Sequence, residues 1–261
     1  AFGFLSRKSK GYSNVAKLLA IVGSTACGKS DFALRLARET GAHILSCDSL
    51  LVYRDLTIGT AKPSQAELAE IPHYGVDIAN LDEPFTAGDY ARYARPIVDK
   101  AVDNNQPLLI VGGTGFYLKA LLCGVWDAPP TQLELRARLE DEVAHLDEEG
   151  KALALFAKLE KLDPEYSKKI KANDVYRVIR ALEIIEVTGA PMHKLLERQQ
   201  LQNPLPYPCP IVGIKRDKEE LDRRITQRAN QMFAQGLVQE TKDLLLKYPT
   251  PPRPFYCVGY N

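Results

Sequence analysis

A run of eight residues near the N-terminus has the residue types and spacing of a phosphate-binding loop. It consists of Gly23, Ser24, Thr25, Ala26, Cys27, Gly28, Lys29 and Ser30. The run fits the pattern G-x-x-x-x-G-K-[ST], in which glycines let backbone N–H groups curl around phosphate oxygens. Lys29 supplies positive charge and the Ser30 hydroxyl can reach a magnesium ion. The pattern therefore predicts a diphosphate or triphosphate site with Ser30 as a Mg²⁺ ligand.

A second candidate for chemistry is the carboxylate of Asp48. It directly follows an apolar run, residues 43–47, that predicts a strand. Active sites of parallel sheets lie at the carboxyl ends of the strands, so we expect Asp48 to face the same crevice as the loop. A carboxylate there can hold metal or accept a proton. The alternative is a turn cap, because Asp followed by Ser is common turn chemistry.

The elements that must position these residues alternate between short apolar runs and helical periodicity up to about residue 124. This alternation predicts a parallel sheet with crossover helices. Strands are predicted at residues 18–22, 43–47, 75–78 and 107–111, and helices at residues 30–40, 63–71 and 86–104. The phosphate loop then lies between a strand and a helix, where its chemistry requires it.

The chain changes character after Pro129 and Pro130. Up to about residue 202 it is rich in Leu, Ala, Glu and Lys without a strand pattern, which predicts an inserted all-helical domain. Beyond this domain, residues 211–214 resemble another buried strand. Residues 217–246 resemble a long helix that is broken near Gly236. The predicted organisation is a P-loop α/β core of residues 1–128 and 203–261 around a helical domain of residues 129–202.

Composition narrows the classes of function. The formal net charge is +1, so any contact with nucleic acid has to come from local basic patches. The longest uncharged apolar stretches are far shorter than the roughly 18 residues that a bilayer span needs, so no membrane partner is expected. Five cysteines without a close CxxC pair argue against structural zinc and a disulfide framework, and they favour the reducing cytoplasm.

Longer runs along the chain carry a more specific pattern. They cover residues 48–54, 58–63, 72–74, 86–90, 111–117, 173–183 and 258–260. In this order they resemble the tRNA dimethylallyltransferases (isopentenyl-diphosphate:tRNA transferases), a family of the P-loop superfamily. The likeness extends over nearly the whole chain from Leu18 onward. Members of that family continue for several helices beyond the last of these runs, so a longer native chain is expected.

The resemblance implies a reaction and a set of site residues. The reaction is transfer of a dimethylallyl group from dimethylallyl diphosphate to the N6 amine of the adenosine beside the anticodon, tRNA position 37. The phosphate loop would hold the donor's diphosphate with Mg²⁺, Asp48 would be the general base, Thr25 would hydrogen-bond near the bridging oxygen and Arg228 would clamp the diphosphate. The implied tRNA contacts are Asp48, Ser49, Leu50, Leu51, Thr114, Arg136, Tyr176, Arg177, Arg180, Tyr256 and Gly259.

The implied partners are the tRNA anticodon stem–loop and dimethylallyl diphosphate, and a monomer is expected. Three alternatives remain open. A small-metabolite kinase would use the loop for ATP, although no apolar strand ends in a clear Walker-B acid, and the NKxD run with which GTPases read the base is also missing. An enzyme that prenylates free adenine nucleotide would share the donor, and a non-catalytic binder of RNA and nucleotide would share the fold. Residues 59–63 and the long helical insertion resemble the tRNA-acting branch more closely.

Overall fold

In the described part of the chain, five parallel strands form the sheet whose carboxyl edge carries the phosphate loop. The strands are β1 (Leu18–Gly23), β2 (His43–Ser46), β3 (His73–Tyr74), β4 (Leu108–Gly112) and β5 (Ile211–Ile214). Their order across the sheet is β3-β2-β4-β1-β5, and every neighbouring pair is parallel. The α/β fold with a parallel sheet, which the alternating sequence pattern predicts, is confirmed.

The computed structural model describes residues 18–126, 129, 131–197, 204–250, 252–256 and 260. The chain divides into a sheet unit, residues 1–125 and 203–261, and a helical unit, residues 126–202. The helices of the sheet unit are α1 (Lys29–Thr40), α2 (Gln65–Glu70), α3 (Ala87–Asp103), α4 (Gly115–Cys123), α10 (Lys218–Ala234), α11 (Leu237–Lys247) and a 3-10 turn, Arg253–Tyr256. Those of the helical unit are α5 (Leu133–Glu142), α6 (Glu148–Leu162), α7 (Pro164–Ser167), α8 (Val175–Thr188) and α9 (Met192–Glu197). In these ranges no helix has both the length and the apolar composition for crossing a bilayer.

Side chains along the strands alternate between two apolar layers, because successive residues of a strand point to opposite faces. Leu108 and Ile110 of β4 pack in the cluster that contains α3 and α4, whereas Leu109 and Val111 pack in the cluster that contains α1. Both faces are covered, which is why the strands read as continuous apolar runs. The same alternation along β2 continues to Asp48, which therefore emerges on the side of α1.

Local signals set the ends of the helices. Thr86 Oγ1 accepts a hydrogen bond from the Asp89 N–H (3.2 Å), and the Asp89 carboxylate accepts one from the Thr86 N–H (2.8 Å). This reciprocal cap starts α3. At the C-terminal end of α1, Gly41 adopts a left-handed conformation and stops the helix.

Two expectations for strands are wrong. The third strand lies at His73–Tyr74 and not at residues 75–78, because Gly75 and Asp77 have positive φ values of 77° and 56° that turn the chain out of the extended conformation. The strand at residues 211–214 exists, but it is an edge strand that pairs with β1. Its side chains are not buried as expected, since Ile211 is 54% exposed and Val212 is 42% exposed.

The helical unit contains a buried carboxylate at Asp163. This side chain is fully buried and accepts hydrogen bonds from the Tyr166 N–H (3.0 Å) and the His193 N–H (2.9 Å). It also contacts the His193 ring nitrogen Nδ1 at 2.6 Å. Burial by itself raises the pKa of Asp163, but the hydrogen bonds from His193 and Tyr166 outweigh burial and the pKa is lowered. Asp163 therefore ties α9 to the start of α7 as a charged group.

We expect Asp163→Ala to destabilise the protein by about 3 kcal/mol near pH 7, since it leaves buried N–H donors without an acceptor. Because the folded-state pKa is lowered, this contribution is complete above the unfolded-state pKa of about 4 and is lost as the pH falls through the folded-state pKa. Urea unfolding followed by circular dichroism checks both points. The control is Asp147→Ala at the exposed N-cap of α6, with an expected loss of about 1 kcal/mol. If the difference in the free energy of unfolding between the wild type and Asp163→Ala grows as the pH falls, this account is contradicted.

Candidate active site

The phosphate loop joins β1 to α1 in a tight, partly left-handed conformation. Ala26 and Gly28 have φ values of 62° and 95°, and the glycine adopts its value without steric cost. The Lys29 ammonium donates to the Gly23 carbonyl oxygen (2.8 Å) and to the Ser24 carbonyl oxygen (2.7 Å). The charge therefore lies against the loop at the N-terminus of α1, where the helix dipole adds positive potential.

A cavity of about 500 Å³ opens beside this loop at the carboxyl edge of the sheet. The residues of its wall that the sequence predicts for the site are Thr25, Ala26, Gly28, Lys29, Ser30, Asp48, Leu51 and Arg228. Residues 60–63 and Arg224 also line it. The fold thus brings the phosphate loop, the acid and the arginine to one cavity, although they lie far apart in the sequence.

Asp48 is half-buried in the cavity wall and bonded to its own turn. Its Oδ1 accepts a hydrogen bond from the Leu50 N–H at 2.9 Å, which is the turn cap considered from the sequence. A carboxylate has two oxygens with several lone pairs, so a cap and a role in the cavity are compatible. Burial lowers the pKa of the Arg228 guanidinium, and the Asp48 charge acts in the opposite direction. These two charges are therefore close enough to interact.

Two arginines that the sequence reasoning missed hold carbonyl groups of the loop. Arg216 Nε donates to the Cys27 carbonyl (2.7 Å), and Arg224 Nε donates to the Ala26 carbonyl (2.8 Å). Since the C=O and N–H of a trans peptide unit point in opposite directions, the next N–H groups of the loop are turned away from the arginines. Two sequence features could have indicated these arginines. Arg224 is four residues before Arg228 on α10, and Arg216 lies just after β5.

The turn that carries Asp48 is fastened to the end of β4 through Thr114. The Thr114 N–H donates to the Cys47 carbonyl (3.2 Å), and Thr114 Oγ1 accepts from the Ser49 N–H (3.0 Å). The Cys47 thiol beside it remains protonated, because burial raises its pKa to about 12. The Asp48 turn and its attachment to β4 therefore contain three of the predicted tRNA contacts, namely Ser49, Leu50 and Thr114.

Predicted tRNA-binding residues also gather around a buried carboxylate in the helical unit. Glu183 is fully buried and accepts from Arg136 Nη2 (2.9 Å) and Arg180 Nη1 (2.6 Å). Burial raises the pKa of Glu183, but the two arginines outweigh burial and the pKa is lowered. The Arg136 guanidinium lies 5.5 Å from the centre of the Tyr176 ring. Arg177 is exposed and pairs with the carboxylate that caps α8.

The remaining predicted residues do not line the cavity. Gly23 and Ser24 contribute the carbonyl groups that Lys29 contacts, and Cys27 is fully buried inside the loop. Tyr256 ends the 3-10 turn, and its side chain is 62% exposed. Gly259 lies outside the described residues.

A strand, a glycine-rich loop and a helix at the edge of a parallel sheet define a P-loop α/β protein. The family model described as "IPP transferase" matches residues 51–261. With this match over most of its length, the chain belongs to the IPP transferase family. The family assignment that the sequence motifs suggest is therefore confirmed.

Individual relatives agree with this assignment. The tRNA dimethylallyltransferase of Bdellovibrio bacteriovorus is 40% identical over 245 residues, which are 94% of this chain and 78% of that protein. The tRNA dimethylallyltransferase of Nostoc punctiforme is 41% identical over 248 residues, 95% of this chain and 78% of that protein. The crystal structure of the tRNA isopentenylpyrophosphate transferase from Bacillus halodurans has a TM-score of 0.62 at 32% identity, covering 94% of this chain and 75% of that one.

We expect Thr114→Val to destabilise the protein by about 1–2 kcal/mol, because it removes the acceptor of the partly buried Ser49 N–H while keeping the side chain's shape. Thr114→Ser retains the hydroxyl and should stay within about 0.5 kcal/mol of the wild type. Thermal and urea unfolding of the two variants measure the difference. Equal stability of Thr114→Val and Thr114→Ser would show that the hydroxyl does not fasten the Asp48 turn.

Proposed function

We propose that this protein transfers a dimethylallyl group from dimethylallyl diphosphate to the N6 amine of the adenosine at tRNA position 37, with release of diphosphate. The observation that carries the proposal is one cavity lined by the phosphate loop, Asp48 and Arg228, in a chain of the IPP transferase family. Similar proteins of known name are tRNA dimethylallyltransferases. The cavity has the groups that both halves of this reaction need.

The first half of the reaction is departure of the diphosphate. The bond between the allylic carbon and the bridging oxygen breaks, and the diphosphate takes the electron pair and its negative charge. Positive groups already aimed at that charge lower the barrier, because they need no reorganisation as the bond breaks. Lys29, the loop N–H groups and Arg228 have this role in our proposal. Thr25 on the same wall donates a hydrogen bond near the bridging oxygen.

The second half is attack by the adenine amine. This amine is a weak nucleophile because its lone pair is delocalised into the ring, so its proton has to leave as the new bond forms. The bond between N6 and the allylic carbon forms, and the N6 proton passes to the Asp48 carboxylate. Asp48 lines the same cavity as the loop, which supports this role as the base.

We propose Mg²⁺ as the cofactor of the diphosphate. The Ser30 hydroxyl is a hard oxygen donor on the cavity wall, at the second position of α1. Such a donor set fits Mg²⁺, which uses few protein oxygens and takes the rest of its ligands from substrate phosphates and water. When bound, the ion supplies further charge neutralisation for the leaving diphosphate.

We propose that the helical unit contributes to binding the anticodon stem–loop. Tyr176 and Arg177 offer exposed stacking and phosphate contacts, while Glu183 holds Arg136 and Arg180 in place. Arginines fixed before binding lose less side-chain entropy when they meet a phosphate. The target base has to leave the anticodon stack, at a cost of a few kcal/mol. We further propose a monomer in the cytoplasm, a reducing compartment in keeping with the free thiols of Cys27, Cys47, Cys123 and Cys209.

Labelled dimethylallyl diphosphate, mixed with an unmodified anticodon stem–loop with and without Mg²⁺, tests the proposal. We expect label in the RNA when donor, RNA and Mg²⁺ are all present. A parallel arm replaces the RNA by AMP, and another replaces the donor by ATP. Preferential labelling of AMP would assign the enzyme to free nucleotides, and ADP formation without labelled RNA would assign it to the kinases.

Asp48→Asn should lower turnover by roughly 10²- to 10⁴-fold, because the amide cannot accept the N6 proton at neutral pH. Binding of the stem–loop, measured by filter retention, should change little. The control is Asp82→Asn, which removes the same charge from an exposed position of the sheet unit. Normal turnover with collapsed RNA binding in Asp48→Asn would contradict the assignment of the base.

A further inference from the structure

A tight turn between Thr57 and Lys62 forms one wall of the cavity. The Ala61 N–H donates to the Ile58 carbonyl (3.0 Å), and the Lys62 N–H donates to the Thr57 carbonyl (3.2 Å). Ala61 has a positive φ of 50°, which a β-carbon makes unfavourable. Residues 60–63 line the cavity. We call residues 57–62 the wall turn, and its conformation needs support from outside.

Glu240 on α11 supplies this support. The Ile58 N–H lies 2.9 Å from each of the two Glu240 carboxylate oxygens, and the Gly59 N–H lies 3.3 Å from Oε1. The Tyr260 hydroxyl donates to the same carboxylate and accepts from the Gly59 N–H (3.1 Å). A β-carbon at Gly59 would lie 2.5 Å from the Tyr260 ring, so turn and ring are in direct contact. Bonds to a charged acceptor are stronger than those between neutral groups.

The opposite side of the wall turn holds Arg228. The Thr60 carbonyl accepts a hydrogen bond from Arg228 Nη2 at 3.2 Å. Arg228 is half-buried, and this burial lowers the pKa of its guanidinium. Acceptors such as the Thr60 carbonyl therefore help to fix its orientation. Glu240 is not among the described residues that line the cavity. Its hydrogen bonds to Ile58 and Gly59 connect it to the cavity through the wall turn.

The ends of this segment are anchored separately. Asp55 accepts hydrogen bonds from Lys247 Nζ (2.7 Å) and the Tyr248 hydroxyl (2.7 Å) at the end of α11. The Lys62 ammonium donates to the Tyr53 carbonyl (3.0 Å) and pairs with Asp77. Because both ends are anchored, the specific contribution of Glu240 is to orient the peptide units in the middle of the wall turn.

We propose that Glu240 is a positioning residue for the transfer reaction, an inference that rests on the proposed function. Its carboxylate orients the peptide units of Ile58 and Gly59 so that the Thr60 carbonyl points at Arg228. Arg228 in turn is held where the diphosphate of the donor binds. Glu240 itself touches neither substrate.

Glu240→Ala removes the acceptor of the two N–H groups and should lower kcat/KM for dimethylallyl diphosphate by on the order of 10²-fold, the effect of a misplaced substrate-binding group. The KM for the stem–loop should change little. Glu240→Gln keeps one acceptor oxygen and should recover much of the loss. The control is Asp243→Asn, which removes the same charge from an exposed position of α11 and should match the wild type. Thermal unfolding verifies that each variant is folded. If Glu240→Ala is not folded, Glu240→Gln replaces it, and a donor kcat/KM equal to that of the wild type would then contradict the proposal.

A double-mutant cycle with Arg228→Ala distinguishes positioning from a general loss of structure. If Glu240 acts through Arg228, the change Glu240→Ala should cost little further activity in the Arg228→Ala background, so the two effects are not additive. Full additivity of the two changes would overturn the proposal. So would an unchanged kcat/KM for the donor in folded Glu240→Ala.

Calorimetric binding of inorganic pyrophosphate separates this inference from the proposed function. We expect weaker binding by Glu240→Ala and unchanged binding by Asp243→Asn. A wild type that binds pyrophosphate but transfers no label would contradict the proposed function, while weaker binding by Glu240→Ala would still support the positioning role. Equal binding by the wild type and Glu240→Ala, together with active transfer by the wild type, would contradict the positioning role alone.

Discussion

Parallel pairing of β1, β4 and β2 is the constraint on which the site depends. Ile21 of β1 and Ser46 of β2 both pair with Val111 of β4, so the three strands are level at this point. Two residues further along, β1 reaches Gly23 and the segment after β2 reaches Asp48. Since parallel strands end at the same edge, the first glycine of the phosphate loop and the carboxylate emerge side by side. An antiparallel pairing would have put them at opposite edges of the sheet.

The cavity concentrates cationic side chains that would repel one another without nearby acceptors. Lys29 contacts the carbonyl groups of Gly23 and Ser24, and Arg228 contacts the carbonyl of Thr60. Arg216 and Arg224 contact the carbonyl groups of Cys27 and Ala26 in the loop. Backbone carbonyls thus stabilise the positive charges and at the same time fix their directions. Groups oriented in advance of the reaction are what electrostatic stabilisation of a leaving diphosphate requires.

Buried carboxylates organise the helical unit in two different ways. Asp163 accepts backbone N–H groups and contacts a histidine, and so it joins short helices that have little core of their own. Glu183 accepts from Arg136 and Arg180 instead, and it fixes the directions of two cations. A buried carboxylate is tolerated in both places because its hydrogen bonds offset the loss of hydration. The second arrangement is compatible with the proposed role of the helical unit in binding RNA.

The sequence by itself determined the phosphate loop, the parallel sheet, the helical insertion and the family, because these depend on spacing within short runs and on the alternation of apolar residues. The roles of Asp48, Thr25 and Arg228 stay predictions. The pattern could not give the place of β3, which the turn at Gly75 and Asp77 decided, or the exposure of β5, which follows from its edge position. Tertiary structure alone decided the contacts of Arg216, Arg224 and Glu240, which join residues 189, 198 and 182 positions apart. No local spacing specifies such contacts, since which carbonyl or N–H group a distant side chain meets is settled when the elements pack.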